Sequence, residues 1–502
     1  MGDIAKHSIK RQVLDITISN ADDHEEVTTA LSKICRENLD TVFGDICEGL
    51  VPPDEVLRFD SLTVDLGHLP LEGLANDFPK ALVQAVRESL FVQIRDKKVA
   101  LRPKGKAERQ TKSEALLHYL ATGQLPWYYE GNLEKLKQEF SNAGIDYTEY
   151  LLPIFKRRQS RKRAVHFFNE AVWNGFFLRE NHPSDKKIPW FQLRTLKTCL
   201  QKLAARTSVL GVAPRQEAKA LWSSLEHGET TYVFVVEALL LQWVEAPAQR
   251  VEGLFRFLPI PFRRRLQKLL SAVGPGESKG FSQEEKTLWA ALGAPEELGP
   301  MALPPEAEPK VDKKADKDFG NREKRTKIDT AGEIQSLEDT TIENAGIILL
   351  WPYLQAFFTG MGLMEERAFK DEQSLVKAVH LLHYLAFKTE EGNETQWLLN
   401  KLLCGMGPTE FVPEKFDLKT SDKEECEHLL KAVITNWSAL KNTGTDSLRT
   451  TFLQRSGVLE PCENGWKLKI ERKAYDVLLD RLTWAISVIK MPWNEYLITT
   501  QW

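Results

Sequence analysis

Leu116-Leu117-His118-Tyr119-Leu120-Ala121 recurs unchanged as Leu381-Leu382-His383-Tyr384-Leu385-Ala386. In each copy the apolar side chains fall one and four residues apart, so they share a helical stripe, and a loop containing glycine follows. The echo predicts two helices and admits a duplicated helical unit. Its flanks diverge, however, and no fixed solenoid period appears.

Outward from the first copy, residues 108–298 carry short helical patterns punctuated by Gly123, Pro126, Pro153, Pro183, Pro189, Pro214, Pro247, Pro259 and Pro261. Such punctuation predicts stacked helices joined by short loops. Around the second copy, helical patterning resumes over 343–455. Without a sustained heptad the chain is not a continuous coiled coil. The two ends read differently. Leu14, Ile16 and Ile18 alternate with polar residues as in a half-buried strand, and Leu57–Leu66 is a second strand candidate. Between and after these, Val27, Leu31, Ile34 and Cys35, then Leu82, Val83, Val86 and Leu90 over 75–94, have helical spacing. Residues 1–100 are therefore expected to form an α+β unit. Residues 299–340 place Pro304, Pro305 and Pro309 before dense mixed charge, which predicts a disordered linker. Beyond it, 341–502 is expected to be a helical domain ending in a strand-like segment. Trp466-Lys467-Leu468-Lys469-Ile470 alternates, and the run to Trp502 fits either a hairpin or a packed helix and strand. The fold class expected is mainly α, multi-domain, with small mixed α+β units at both ends.

The 502 residues are 42% hydrophobic and 27% charged, enough for two or three domains, and the net charge of −4 gives no global attraction to nucleic acid or acidic membrane. Six scattered cysteines (Cys35, Cys47, Cys199, Cys404, Cys426, Cys462) show neither disulfide nor zinc spacing, so reduced thiols in a cytoplasm are expected. No secretory signal or membrane-length apolar run is present in the sequence.

Motifs that would carry catalysis fail on context. Gly274-Pro275-Gly276-Glu277-Ser278-Lys279-Gly280 lacks the order of a phosphate loop, and although it matches GxSxG, a helical pattern at Leu266, Leu269 and Leu270 and the preceding Pro275 oppose a strand-to-turn elbow. Asp60 and Asp65 would point to opposite faces of a strand, so solvent-facing carboxylates beside turns are expected. His118 and His383 lack metal-spaced partners and read as polar residues at a core edge. No catalytic, cofactor-binding or metal-binding residue is assigned, and no cofactor, small-molecule substrate or membrane is expected.

Two groups suggest contacts. Lys156, Arg157, Arg158, Arg161, Lys162 and Arg163 form a basic cluster near Phe155, Phe167 and Phe168, with Arg263-Arg264-Arg265 a second one. A solvated helix face is the first reading of the cluster, an acidic protein partner the second and nucleic acid the last. Trp466, Trp484, Trp493 and Trp502 fall eighteen, nine and nine residues apart. Core packing is the plain reading, while a tryptophan at a chain end, where fraying is usual, also suits a partner-docking anchor.

The stretch from Glu471 through Leu482 to Trp493, and the terminal Tyr496-Leu497-Ile498 to Trp502, resemble the closing segment of the contractile injection system tape measure proteins of phage-tail-like particles. Asn344–Leu354, Ala378–Leu385, Lys401–Gly405 and Asn436–Lys441 are similar to upstream blocks of that family in the same order, and Phe59–Gly67 and Tyr119–Trp127 to its N-terminal region. Thr483 in place of a proline, Asn494 and Glu495 within the closing run, and Gln501 in place of an acidic residue depart from the pattern. The resemblance implies a non-enzymatic structural protein that sets inner-tube length during assembly. Inner-tube, spike or baseplate, and cap proteins would be its partners. It would be cytoplasmic in the producing bacterium and then lie inside the particle. A chaperone of the same apparatus, and an unrelated cytosolic enzyme, are the competing readings.

Overall fold

The computed structural model describes residues 55–56, 62–69, 74–95, 102–141, 148–179, 189–205, 212–226, 230–245, 254–273, 281–293, 339–440, 443–462 and 465–502. The strand expected over 9–19, the helix over 24–48 and the 299–340 stretch up to residue 338 lie outside them. Two compact units emerge, residues 1–115 with 127–130 and residues 116–126 with 131–502.

In the first unit, β1 (Glu55–Val56) pairs antiparallel with β2 (Arg102–Pro103), which flank α1 (Leu74–Arg95) in sequence. Phe78, Leu82, Val86 and Leu90 recur every four residues on α1 and are buried, as the helical spacing predicts. The described part of the second strand candidate, from residue 62, has no regular structure. There the Asp65 carboxylate accepts from the Gly67 N–H at 2.9 Å, a local bond that competes with a strand ladder.

The second unit begins with the end of α2 (Lys104–Thr122) and continues through α3 (Leu133–Glu139), α4 (Thr148–Phe155), α5 (Arg158–Phe167), α6 (Glu170–Arg179), α7 (Pro189–Ala205), α8 (Val212–Ser224), α9 (Thr230–Glu245), α10 (Ile260–Ala272) and α11 (Gln283–Gly293). These are the short stacked helices the proline punctuation predicts. Helices α7 and α8 pack together, and α11 lies on α7. Aromatic rings fill the space between α5, α6 and α7: Phe168 meets Trp173 edge-on at 5.4 Å, and Phe177 meets Trp190 at 5.0 Å.

Residues 339–502 gather one continuous apolar core. Its helices are α12 (Trp351–Gly360), α13 (Glu372–Phe387), α14 (Leu398–Leu403), α15 (Thr420–Asn436) and α16 (Thr445–Leu448). Its main sheet, built from β3 (Thr340–Ile342), β6 (Gly457–Cys462), β7 (Gly465–Ile470), β8 (Val488–Lys490) and β9 (Leu497–Gln501), has the order β3-β6-β7-β9-β8; a small hairpin joins β4 (Met364–Glu365) to β5 (Ala368–Phe369). Only β7 and β9 run parallel, and the other pairs of the main sheet are antiparallel. Trp466, Leu468 and Ile470 of β7 face inward while Lys467 and Lys469 lie outside, the period-two pattern read from the sequence. The stretch to Trp502 thus resolves into a β6–β7 hairpin, a 3-10 segment at Ala474–Arg481 and the β8–β9 pair. No described helix is long and apolar enough to cross a membrane.

The entry to this core is a 3-10 segment, Ala345–Leu350, all six residues of which are buried. Its start is tied to the sheet side by Ala345 N–H donating to the Arg455 carbonyl at 2.9 Å. Gly346 lies so close to Phe452 and Leu453 that a Cβ there would overlap the Phe452 carbonyl. Gly346→Ala is therefore expected to destabilise the domain by roughly 1 to 3 kcal/mol or more, read as a lower urea midpoint with an unchanged slope.

Candidate functional site

The basic cluster spans the α4–α5 junction, and the structure divides it. Lys156, Arg157 and Arg158 are exposed and Lys162 is half-buried, whereas Arg161 and Arg163 are buried. Arg161 donates through Nη1 to the Phe155 and Lys156 carbonyls at 2.6 and 3.1 Å, closing the C-terminal turn of α4. Arg158 Nε stands 3.5 Å from Glu237 Oε1. The solvated face expected for the whole cluster is thus confined to its first half.

Arg163 is 0% exposed and sits at the centre of a buried ionic site. Its Nε and Nη2 donate to the two oxygens of Glu394, each at 2.9 Å, as a two-pronged fork. Its Nη1 donates to the Leu120 and Ala121 carbonyls at 3.2 and 3.3 Å, and Nη2 also reaches the Thr409 carbonyl. Lys401 Nζ donates to Glu394 Oε1 at 2.7 Å. A capping box of Asn393 and Gln396 fixes the 3-10 turn that opens on Glu394, and α14 presents Lys401. Burial pushes the Glu394 carboxyl up, but Arg163 and Lys401 outweigh it and hold it below the ordinary value. Burial, with the Glu394 charge second, raises the nearby Tyr119 phenol well above its usual range. Gly123 follows α2 with φ +79°, and a Cβ on it would stand 2.7 Å from Glu394 Oε1. Glycine alone fits there on both counts.

The four tryptophans do not share one face. Trp466 lies wholly inside, beneath the sheet. Trp484 donates from its indole to the Leu349 carbonyl at 3.1 Å, while Trp351 donates to the Ala485 carbonyl at 2.9 Å, a reciprocal clasp. Trp493 donates to the Leu403 carbonyl at 3.1 Å, and Trp502 to Asp476 Oδ2 at 3.0 Å. Asp476 also takes a two-pronged bond from buried Arg455, both arms at 2.8 Å, and the Arg455 guanidinium lies 5.3 and 5.4 Å from the Tyr475 and Trp502 ring centres. Residues 471–488 contain no fully buried side chain and form a strap across the core. Trp437, donating to the Leu478 carbonyl at 3.1 Å, pins the strap a further time. Two large apolar side chains stand out on it, Val477 67% and Val488 52% exposed, among exposed charged residues such as Arg472, Lys473, Asp480 and Arg481. Among the departures from the family pattern, Asn494 is buried, bonded through Nδ2 to the Leu402 carbonyl and through Oδ1 to the Tyr496 N–H.

The other residues weighed for chemistry scatter. Asp60 and the 274–280 loop lie outside the described residues. His118 is half-buried on α2. His383 is buried on α13 with its neighbour His380, their Nε2 atoms meet the Glu391 and Pro413 carbonyls at 3.1 and 3.0 Å, and both rings contact Trp397. No cluster of metal-ligating side chains occurs among the described residues. Cys199, Cys404 and Cys426 are buried thiols, and Cys462 is an exposed one. Sequence reading missed Glu394, Lys401, Asp476 and Arg455. The available signals were Gly123 directly after the first hexapeptide's helix and the Asn-x-x-Gln box around Glu394.

Compared with known proteins, the chain matches the sequence profile of a family described as contractile injection system tape measure protein, over residues 6–502. Neither a curated protein nor a solved structure matches it.

The histidine pair makes the fold acid-sensitive. Burial, then the neighbouring His383, lowers His380 from 6.5 to about 4, and burial lowers His383 as well. A folded-state pKa below the unfolded one means that the stabilisation is complete above pH 6.5. It is lost as pH falls toward 4. For His380 the loss over that window is on the order of 3 kcal/mol. Urea midpoints between pH 7.5 and 4 are expected to fall less steeply for His380→Asn than for the wild type.

Proposed function

The chain belongs to the contractile injection system tape measure protein family, and from that premise we propose that it lies in the inner tube during assembly and sets the tube's length. The family is structural, and membership places the protein within the particle. The observation that carries the proposal is the extent of the match, residues 6–502, which takes in the helical region as well as the C-terminal domain. Tube, spike or baseplate, and cap proteins are the proposed partners.

Reach is sufficient if the chain is drawn out. As one continuous helix, 502 residues would span about 750 Å, and an extended chain roughly twice that. In the compact form the helices of 116–293 are folded back on one another, so measuring requires them to be drawn out when the chain is confined in a tube. We assign docking on the tube or baseplate to the 341–502 domain. Half-exposed Trp484, Trp493 and Trp502 and the exposed Val477 and Val488 on the strap support this assignment, with Trp466 holding the sheet beneath. Lys156, Arg157 and Arg158 are the cluster members left to meet an acidic protein surface.

The continuous core of 339–502 favours a second reading, an assembly chaperone of the same apparatus, because a ruler needs no such core. Internal deletions within 170–293 separate the two. A ruler gives particles shortened in proportion to the residues removed. A chaperone gives fewer particles of unchanged length, and fixed length across the series would refute the measuring role. Docking is tested at positions that carry little of the fold: Val477→Arg with Val488→Arg is expected to leave the melting temperature within about 2 °C, since exposed substitutions cost little, and to strip the protein from purified particles. Full retention would refute docking through the strap.

A further inference from the structure

The two hexapeptides end their helices in the same way. Gly123 and Lys388 both take left-handed backbone, with φ of +79° and +57°, and donate to the Tyr119 and Tyr384 carbonyls at 2.7 and 2.8 Å. An arginine then covers each helix end: Arg163 bonds the Leu120 and Ala121 carbonyls, and Arg449 Nε bonds the Leu385 carbonyl at 3.1 Å. The difference lies in the acids. Arg449 pairs with Asp446 and Glu427, both nearby in sequence. Arg163 pairs with Glu394, 231 residues further along.

Around that pair is a polar rim joining the same two stretches. Gln159 Oε1 accepts from the Phe411 N–H at 3.0 Å, the His166 ring lies 4.8 Å from the Phe411 ring, Lys162 reaches Glu372 at 3.3 Å, and Lys137 bonds Glu414. Within the second unit, the end of α2 together with α3 and α5 is thereby fastened to the C-terminal core around one buried charged centre.

We propose that Arg163, Glu394 and Lys401 form a releasable latch, closed in the compact chain and opened when the chain is drawn out in the particle. This rests on the tape measure reading. Charge suits such a contact. A wholly apolar patch would be at least as stable when closed, but parting it would expose apolar surface, whereas parted ions regain their hydration. The arrangement of the three charges also decides what stays behind. Withdrawing Arg163 leaves Glu394 bonded to Lys401, a self-neutralised pair within one core. The C-terminal domain therefore keeps its fold when the latch opens.

The test uses full-length protein in two settings. Carbodiimide, which joins touching lysines and carboxylates without a spacer, is expected to link Lys162 to Glu372 and Lys137 to Glu414 in the free chain. In assembled particles the yield of both links is expected to fall at least tenfold. Equal yields in the two settings would overturn the release. Absence of the chain from particles would overturn the tape measure reading and the release together, while the links in the free chain would still report closure. Closure itself is checked by amide exchange. Arg163→Ala, and separately Gly123→Ala, whose methyl would strike Glu394, are expected to speed exchange at residues 119–124 and 407–411 tenfold or more with the amides of β6, β7 and β9 unchanged. Unchanged exchange at both segments, or parallel loss across the sheet, would make Arg163 an ordinary core residue and refute the latch.

Discussion

A guanidinium taken out of water must find acceptors for its N–H groups, and Arg163 finds them in three separated stretches of chain: the end of α2, the turn at Glu394 and the Thr409 carbonyl. The arrangement of the second unit follows from that demand. Glu394 has to arrive with both oxygens presented, which the Asn393–Gln396 box ensures. Gly123 has to leave room, and Lys401 has to balance a carboxylate that no water reaches. Removing Glu394 would leave two cations uncompensated in the interior, where the penalty is far greater than at a surface.

Much of the fold was legible because its determinants are local. Both hexapeptides lie in helices, the 75–94 stripe is α1, and the alternation from Trp466 to Ile470 is β7. The resemblance to the tape measure family was likewise carried by contiguous blocks, and the match over 6–502 extends it through the middle of the chain. What could not be read depends on distance along the chain. Lys156 to Arg163 looks like a solvated run in any short window, and the acid that holds Arg163 inside, Glu394, lies 231 residues further along. The tryptophan intervals left core packing and partner docking both open. In the fold each indole answers to a different carbonyl or carboxylate, set by which backbone groups the sheet and helices leave unpaired.

The C-terminal strap illustrates how an amphipathic segment can be held without being buried. Indole N–H groups from Trp351, Trp437 and Trp484 fix strap and core to each other, and Asp476 collects Arg455 and Trp502 at one point. Aromatic rings supply contact area at low entropic cost, and their single donor fixes position. The outer edge of the strap carries Val477 and Val488 among charged side chains while its inner edge is engaged with the core.

The edge position of β3 has a mechanical consequence. The strand has a partner on one side only, β6, through the three opposed pairs from Thr340–Leu459 to Ile342–Gly457, and it is followed at once by the buried Ala345–Leu350 segment. A pull transmitted through residue 339 meets Thr340 first and can part those pairs one after another, each with its own small rupture. It then reaches Gly346, wedged against the Phe452 backbone, where many contacts have to yield together. The domain thus joins a short lead of three pairs to a stiff anchor, and the lead's last residue, buried Ile342, is where load first reaches the core.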